Sequence, residues 1–376
     1  MIALQLQKGY TGFVEICWRT WDSVEEQRMK KIKVFCVIIC SLFPIFLMTG
    51  CKGDNENIAE GMKYVAELDY TAALECFAEA EDEGEDAKLL ARGRGIAYMG
   101  MTRYEEAIEC FLEALSHSNG IVEDVDYDIN LYLAAVYTKT GQYAEAEEIY
   151  NAVLAMRPKE VEVLFLRGSV RLNQGNYEGA KEDMDKVVEM DGKNFERIIH
   201  IYEIMEAGGY KDSGQGYLTD ALQTYEKDMS NFEKGRMLFY MGEYKKAYIA
   251  LEEAKNEGGV EAYLYLGRAY EATGDYNYAE SVYNSYLTKV GEDARVYNQL
   301  GLCEARKGEY EEALKSFQAG LDEDDPSVRQ VLLFNEIVAY EHLGEFEKAA
   351  TLMKEYLAVY PDDELAEREY EFLSTR

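Results

Sequence analysis

Small and aromatic residues follow a pattern along this chain that returns about every 34 residues. The first copy reads Gly61, Tyr64, Tyr70, Ala73, Phe77 and Ala80. The second copy reads Gly95, Tyr98, Tyr104, Ala107, Phe111 and Ala114, and every member has moved by the same interval. A repeat of this period indicates an array of small helical units, each of which buries its apolar face against its neighbours.

Each copy predicts two helices joined by a tight turn. Apolar residues at helical spacing predict the first helix, as in Tyr263, Leu266, Gly267 and Tyr270. A glycine followed by a polar residue and a tyrosine then predicts the turn, at Gly175, Gly242, Gly274 and Gly308. In the second helix an alanine permits close approach and a bulky residue four positions later fills the gap, as in Ala279 with Tyr283 and Ala313 with Phe317.

This pattern resembles the tetratricopeptide repeat, with copies beginning near residues 54, 88, 127, 161, 228, 260, 294 and 330. Pro158 and Pro361 stand where that family places its closing proline, whereas Ala134 and Ile337 replace the glycine of the first helix. The resemblance implies an all-α fold, a right-handed superhelical solenoid of helix–turn–helix repeats over 54–194 and 228–361. Residues 362–376 should form a helix that caps the last repeat.

Residues 195–227 are the irregular part of the array. A helical stretch, Phe195–Glu206, is followed by four glycines within residues 208–216, which we interpret as replacing the usual turn. The segment is either a degenerate ninth repeat with a longer loop, or a hinge, since glycines lower helix stability.

The segment before the repeats has the features of a secretory signal. A basic stretch begins at Met29, fifteen uncharged residues follow from Val34 to Met48, and Thr49-Gly50 precede Cys51. The end resembles a bacterial lipobox, which implies a signal peptide over 29–50, lipidation of Cys51 and a short linker to residue 53. Met48 stands where that motif prefers leucine. An uncleaved membrane anchor or an ordinary signal peptide are the alternatives.

Residues 1–28 fit neither the signal nor the repeats. Met29 stands where a signal peptide should begin, which favours a gene-model extension upstream of the true initiator. An unusually long basic region before the signal is the alternative.

The chain carries a formal net charge of −33. A polyanion of this size repels nucleic acid phosphates and anionic lipid headgroups, so a nucleic acid partner is not expected. The three histidines, His117, His200 and His342, fall in different repeats, and we find no catalytic, phosphate-binding or metal-binding motif. The sequence therefore predicts neither an enzyme, nor a metal site, nor a cofactor.

Two acidic segments share features with calcium-binding sequences. Asp124, Asp126, Asp128 and Asn130 begin like a calcium loop, but Ile129 replaces the turn glycine and Ala135 the bidentate acid. We therefore interpret this segment as an acidic loop between repeats. Six acids within residues 79–86 are interpreted as a solvated helix end, with weak calcium binding as the alternative.

Cys76 and Cys110 occupy equivalent positions in adjacent repeats. Packed helices lie about 8–10 Å apart, beyond the ~7 Å that a disulfide can span. We expect both to be buried small apolar residues rather than a bridged pair.

In the resembling family the first helix of each repeat lines a concave groove that binds protein segments. Cations and aromatic residues of this chain fall on that predicted face: Arg92, Lys139, Phe165, Phe232, Arg236, Phe239, Arg268, Arg295, Arg306 and Phe334. Arginine beside aromatic surface is well suited to hold carboxylates and anchoring side chains of a peptide. The alternative is that the arginines only balance neighbouring acids.

Together these features predict a scaffold protein, anchored to the extracytoplasmic face of a bacterial cell membrane through Cys51, that binds a protein or peptide segment in its groove. The second hypothesis is a ligand-capture component of a transporter or of a cell-wall enzyme complex. That role needs a closed pocket, which an open array rarely supplies.

Overall fold

A computed structural model describes residues 55–120, 122–255, 259–323, 325–361 and 363–375. Within these residues it contains nineteen α-helices and no strand. The leader, its hydrophobic stretch and Cys51 lie outside the described residues, so those predictions stay predictions. No helix in the described ranges has both the length and the apolar character needed to cross a membrane.

The chain divides into two compact units at the boundary between Tyr217 and Leu218. Unit 1 contains α1 (Glu56–Ala66), α2 (Tyr70–Glu83), α3 (Ala87–Gly100), α4 (Tyr104–Ser116), α5 (Asp124–Lys139), α6 (Tyr143–Met156), α7 (Val161–Asn173), α8 (Tyr177–Asp191) and α9 (Phe195–Ala207). The boundary falls inside α10 (Lys211–Tyr225).

Unit 2 contains the remaining nine helices. These are α11 (Asn231–Tyr240), α12 (Tyr244–Ala254), α13 (Val260–Ala272), α14 (Tyr276–Lys289), α15 (Ala294–Lys307), α16 (Tyr310–Asp322), α17 (Arg329–His342), α18 (Phe346–Val359) and α19 (Glu364–Leu373). Consecutive helices pack as hairpins, and we call the first helix of each hairpin its A helix and the second its B helix. The all-α repeat fold is therefore confirmed.

A glycine in most A helices lets a large B-helix side chain lie directly against the A-helix backbone. The pairs are Gly61 with Phe77, Gly95 with Phe111, Gly168 with Met184, Gly235 with Leu251, Gly267 with Tyr283, and Gly301 with Phe317. Phe77, Phe111, Phe317 and Tyr283 have no exposed surface. These pairs form the repeated core that the spacing of small and aromatic residues predicts.

The turn glycines adopt the left-handed conformation that the sequence predicts. The φ angles are +76° at Gly175, +75° at Gly242, +81° at Gly274 and +82° at Gly308. Leu68 and Thr102 occupy the equivalent position in the first two hairpins, with φ of +63° and +58°. Because a β-carbon is strained in this conformation, these two turns carry a cost that the glycine turns avoid.

The fifth hairpin, α9 with α10, has a regular turn, and the interpretation that glycines replace it is wrong. Gly209 has φ +87°, and Tyr210 donates a backbone hydrogen bond of 2.8 Å to Met205, as Asn176 does to Arg171. Gly214 lies within α10 against Met205. The glycine run extends from the turn into the B helix, so only one glycine serves the turn. The hinge stays a prediction.

The C-terminal helix α19 packs against α18, as expected of a cap. Its Ala366 and Leu373 are buried, at 0% and 2% exposure. Asp363 begins the helix by accepting backbone hydrogen bonds from Leu365 and Ala366, each 3.2 Å long. The helix therefore covers the open apolar surface that the last hairpin would otherwise leave.

A buried charge network connects three helices of unit 1. Asp183 of α8 is fully buried and accepts from Arg167 at 2.6 and 2.9 Å and from Arg171 at 2.9 Å. Arg171 also donates to Glu147 of α6 at 2.7 Å. Because two guanidiniums surround one carboxylate, its charge is compensated inside the core. Sequence periodicity showed no sign of this network.

Candidate functional site

All ten residues predicted to line the groove lie on A helices. Three fall in unit 1, namely Arg92 on α3, Lys139 on α5 and Phe165 on α7. Seven fall in unit 2, namely Phe232, Arg236 and Phe239 on α11, Arg268 on α13, Arg295 and Arg306 on α15, and Phe334 on α17. The structure brings only some of them together.

Four of the unit 2 residues lie close to the ring of Tyr265, which was not among the residues predicted from the sequence. The guanidinium of Arg236 lies 5.2 Å from the ring centroid of Tyr265, and that of Arg268 lies 5.5 Å from the same centroid. Arg236 also lies 5.4 Å from the Phe232 ring, and Arg268 lies 5.0 Å from the Phe239 ring. We call these five residues the arginine–aromatic cluster.

The rings of the cluster hold one another in place. Phe239 and Tyr265 pack edge to face with centroids 5.4 Å apart, and Phe232 approaches Tyr265 in the same way at 6.1 Å. The Tyr265 hydroxyl is 3.0 Å from that of Tyr240. Edge-to-face pairs and a fixed hydroxyl restrict the side-chain rotamers, so the two guanidiniums stack on preorganised rings.

The two arginines occupy equivalent positions in successive hairpins. Arg236 directly follows Gly235 and Arg268 directly follows Gly267, and both glycines pack against their B helices. Helices α11 and α13 are neighbouring A helices in contact with each other. Equivalent positions on neighbouring A helices lie side by side, which places two cations and three aromatic rings on one face of unit 2.

Arg295 and Arg306 lie at opposite ends of α15 and already have carboxylate partners. Arg295 forms ion pairs of 2.8 Å with Asp293 and with Glu261, and the hydrogen bond to Asp293 raises the pKa of its guanidinium. Arg306 pairs with Glu271. For these two residues the structure shows the charge balance that was the alternative interpretation.

The remaining aromatic residues of the predicted set are core residues. Phe165 is 3% exposed and Phe334 is 8% exposed. Phe334 packs edge to face on Tyr356 of the B helix, with centroids 5.8 Å apart. Because almost all of the surface of these two side chains is buried in the core, little of it is accessible to a partner.

Unit 1 has a smaller version of the same arrangement. Arg92 forms a 2.5 Å ion pair with Asp128 of α5 and lies 5.7 Å from the Tyr132 ring. Lys139, at the end of α5, is exposed. The cation of Arg92 is therefore matched by an acid.

The aspartates that resemble the start of a calcium loop lie in the first turns of α5, so their interpretation as a loop is wrong. Asp126 caps this helix by accepting from the Glu123 backbone at 2.8 Å and pairs with Lys88 at 2.6 Å. Asp124 pairs with Arg157 at 2.5 Å. The carboxylates face different partners. Within the described ranges, no group of three or more His, Cys, Asp or Glu residues could hold a metal ion.

The acidic run at residues 79–86 lies at a helix end, as predicted. Helix α2 ends at Glu83, and Glu81 pairs with Arg94 at 2.5 Å. Glu85 accepts two backbone hydrogen bonds of 2.9 Å, from Asn57 and Ile58 in the first turn of α1. A carboxylate at a helix N-terminus stabilises the unpaired amide groups there, so this acid has a structural role.

Cys76 and Cys110 are free thiols, as expected, but both are partly exposed rather than buried. They lie on the second helices of their hairpins, on positions between the core alanines and phenylalanines. Burial raises the pKa of the Cys110 thiol to about 11 and that of the buried Cys303 to about 12.

The fold and the repeated glycine–aromatic pairs define a helical-repeat protein that offers the faces of its A helices for binding. Sequence profiles of the tetratricopeptide repeat match residues 85–159, 131–194, 266–328 and 332–363, which together span more than half of the chain. The chain belongs to the tetratricopeptide repeat family. Domains of this family bind protein partners or peptides and are generally scaffolds without catalytic activity.

Three related proteins match part of the chain. RNA polymerase II-associated protein 3 is 27% identical over 153 residues in Xenopus laevis and 24% identical over 150 residues in Homo sapiens. The DnaJ homolog subfamily C member 7 homolog of Schizosaccharomyces pombe is 28% identical over 219 residues. These matches cover 40%, 36% and 54% of this chain but only 21%, 23% and 40% of the relatives.

Solved structures of other proteins are similar to this chain. Yeast Tom70 is similar over 86% of this chain and 82% of its own, with 15% identity and a TM-score of 0.50. A tetratricopeptide repeat protein from Parabacteroides merdae is similar over 76% of this chain and 97% of its own, with 19% identity and a TM-score of 0.43.

Proposed function

We propose that this protein is a membrane-anchored, extracytoplasmic scaffold that binds segments of other proteins on the A-helix face of unit 2. The observation that carries the proposal is the arginine–aromatic cluster. Two guanidiniums at equivalent positions of neighbouring A helices stack on the single ring of Tyr265. Arginine and aromatic side chains are the residue types that contribute most to binding at protein interfaces.

The charge of the chain defines the chemistry of the partner. The arginine–aromatic cluster is a region of this acidic protein, of net charge −33, that offers two cationic side chains beside apolar rings. A segment that carries carboxylates next to apolar side chains is complementary to this region and is repelled elsewhere on the surface. The same overall charge disfavours nucleic acid as a partner.

Peptide binding tests this proposal directly. Purified protein is applied to an array of acidic peptides and of matched peptides in which Asn and Gln replace Asp and Glu. We expect selective retention of acidic peptides, weaker at high salt because exposed charges are screened. The double variant Arg236→Ala with Arg268→Ala should lose this selectivity and keep its helical circular dichroism.

A pair of B-helix lysines gives the matched control. Lys245 and Lys315 are exposed, and replacing both by alanine removes the same charge as the arginine variant. This control should retain the acidic peptides like the wild type. Equal losses in the two double variants, or no loss in the arginine variant, would refute the assignment of the binding face.

The membrane anchor is proposed from the leader sequence alone. A diacylated Cys51 would carry two chains, enough for stable membrane attachment where one chain is marginal. Cys51→Ala should release the protein from the membrane fraction or leave an unprocessed precursor. A variant that fractionates with the membrane at mature size would contradict the anchor and leave the peptide-binding proposal intact.

A further inference from the structure

A second surface feature of unit 2 lies outside the arginine–aromatic cluster. A cleft of about 420 Å³ opens where the turn between α13 and α14 approaches the end of α15. Its lining includes Asp275, Asn277, Tyr278, Lys307 and Glu309. The volume lies in the range of small-molecule sites, and the proposed scaffold function uses none of these residues.

Tyr278 presents an unusually exposed aromatic ring at this cleft. It is 65% exposed although it belongs to a B helix of the array. Its ring stacks on Tyr270 with centroids 5.5 Å apart and planes 23° apart, and Tyr270 stacks on Tyr248 at 4.7 Å and 13°. Tyr270, itself stacked on Tyr248, packs against the Tyr278 ring. The orientation of the Tyr278 ring is therefore restricted, while much of its surface stays exposed.

The charged groups of the cleft are mostly acidic, with one ammonium among three carboxylates. The Lys307 ammonium lies 2.6 Å from Glu280 and 2.6 Å from Glu309, and hydrogen bonds to these carboxylates raise its pKa. Asp275 accepts a hydrogen bond of 3.0 Å from the Thr273 hydroxyl. The lining therefore offers carboxylate acceptors beside a paired ammonium, which suits a neutral ligand that donates hydrogen bonds and repels an anionic ligand.

We propose that this cleft binds a neutral carbohydrate. A sugar ring combines an apolar face of C–H groups, which stacks on an aromatic ring, with hydroxyl groups that both donate and accept hydrogen bonds. The stacked Tyr278 supplies the first partner, and Asp275, Asn277 and Lys307 supply the second. The cleft is open at the surface, and its volume of about 420 Å³ accommodates one or two residues of a glycan chain.

The inference goes beyond the proposed scaffold function and does not depend on it. The cleft is formed at the turn side of α14 and α15, whereas the peptide-binding proposal rests on α11 and α13 side chains. Loss of sugar binding would leave peptide retention unchanged. Loss of peptide binding through Arg236 and Arg268 would leave sugar binding unchanged.

Saturation-transfer difference NMR with the full chain tests the site. The probes are maltotriose, cellotriose and triacetylchitotriose, each at millimolar concentration. We expect at least one probe to receive saturation, strongest at the C–H protons of one ring face. Removing a stacking ring should weaken affinity about tenfold, so Tyr278→Ala should give a much weaker signal than the wild type at the same probe concentration.

Two further variants separate stacking from general surface effects. Tyr278→Phe keeps the ring and should keep the signal. Ile249→Ala removes a side chain that is 66% exposed on α12 and does not line the cleft, so it should bind like the wild type. The proposal is overturned when none of the three sugars binds wild-type protein, or when Tyr278→Ala binds as well as wild type.

Discussion

Replacing a glycine by alanine should change the free energy of unfolding in opposite directions at Gly267 of α13 and at Gly216 of α10. A β-carbon at Gly267 would lie 2.3 Å from two carbon atoms of the Tyr283 ring. Carbon atoms pack best at about 3.5–4.0 Å, so the ring would have to retreat by more than an ångström. At Gly216 of α10, a new β-carbon would meet no atom within 4 Å.

The ring of Tyr283 cannot easily retreat. It is fully buried, and its hydroxyl donates a 2.5 Å hydrogen bond to Glu271, which is itself 8% exposed and paired with Arg306. Overpacking of this kind costs about 1–3 kcal/mol, and the gain in helix propensity offsets about 1 kcal/mol of it. We expect Gly267→Ala to lower the free energy of unfolding by up to about 2 kcal/mol. Gly216→Ala should raise it by about 0.5–1 kcal/mol.

Urea denaturation followed by circular dichroism measures both changes, and hydrogen exchange locates them. The loss in Gly267→Ala should be concentrated in α13 and α14, because each repeat contacts only its neighbours. A Gly267→Ala variant as stable as Gly216→Ala would show that the glycine does not determine how closely the two helices pack.

Two other changes test local features of the array. Leu68→Gly and Thr102→Gly should each stabilise the protein by about 0.5–1 kcal/mol in thermal unfolding, because they relieve left-handed strain, whereas Leu112→Gly within α4 should destabilise it. Burial and the neighbouring Glu369 of α19 raise the pKa of Glu341 to about 9. A carboxyl whose pKa is raised by folding stabilises the native state most at acid pH, and this contribution is lost as pH rises from about 4.5 toward 9. Glu341→Gln should therefore raise the melting temperature at pH 8 and flatten its decline with pH, and an unchanged slope would refute the role of this carboxyl pair.

The repeat fold was predictable because its determinants are local. Each glycine and the bulky residue it contacts lie within one hairpin, as Gly301 and Phe317 do, so their spacing is visible in the sequence. The turn at Gly209 was misread because further glycines follow it inside α10. Its interval from Gly175 equals that between the first two copies, and this regularity is the sequence signal for the turn.

The candidate site was only partly predictable because its contacts join different repeats. Tyr265 is 6% exposed and reads as a core residue, yet its ring lies under guanidiniums from two helices. Its position three residues before Arg268 on one helix was the available signal. The acids that pair with Arg295 and Arg306 lie on α13 of the preceding hairpin or in the linker before α15. The residue pattern of one helix does not reveal partners on another segment.

Site-specific photocrosslinking in intact cells tests the central claim most directly. A photoreactive amino acid is placed at Phe239, in the arginine–aromatic cluster, and in a second strain at Lys315 on the B helix α16. We predict a discrete crosslinked protein from position 239 that disappears in the background of Arg236→Ala with Arg268→Ala, and no equivalent product from position 315. The same product from both positions, or a product from position 239 that survives the arginine replacements, would contradict binding at the A-helix face of unit 2.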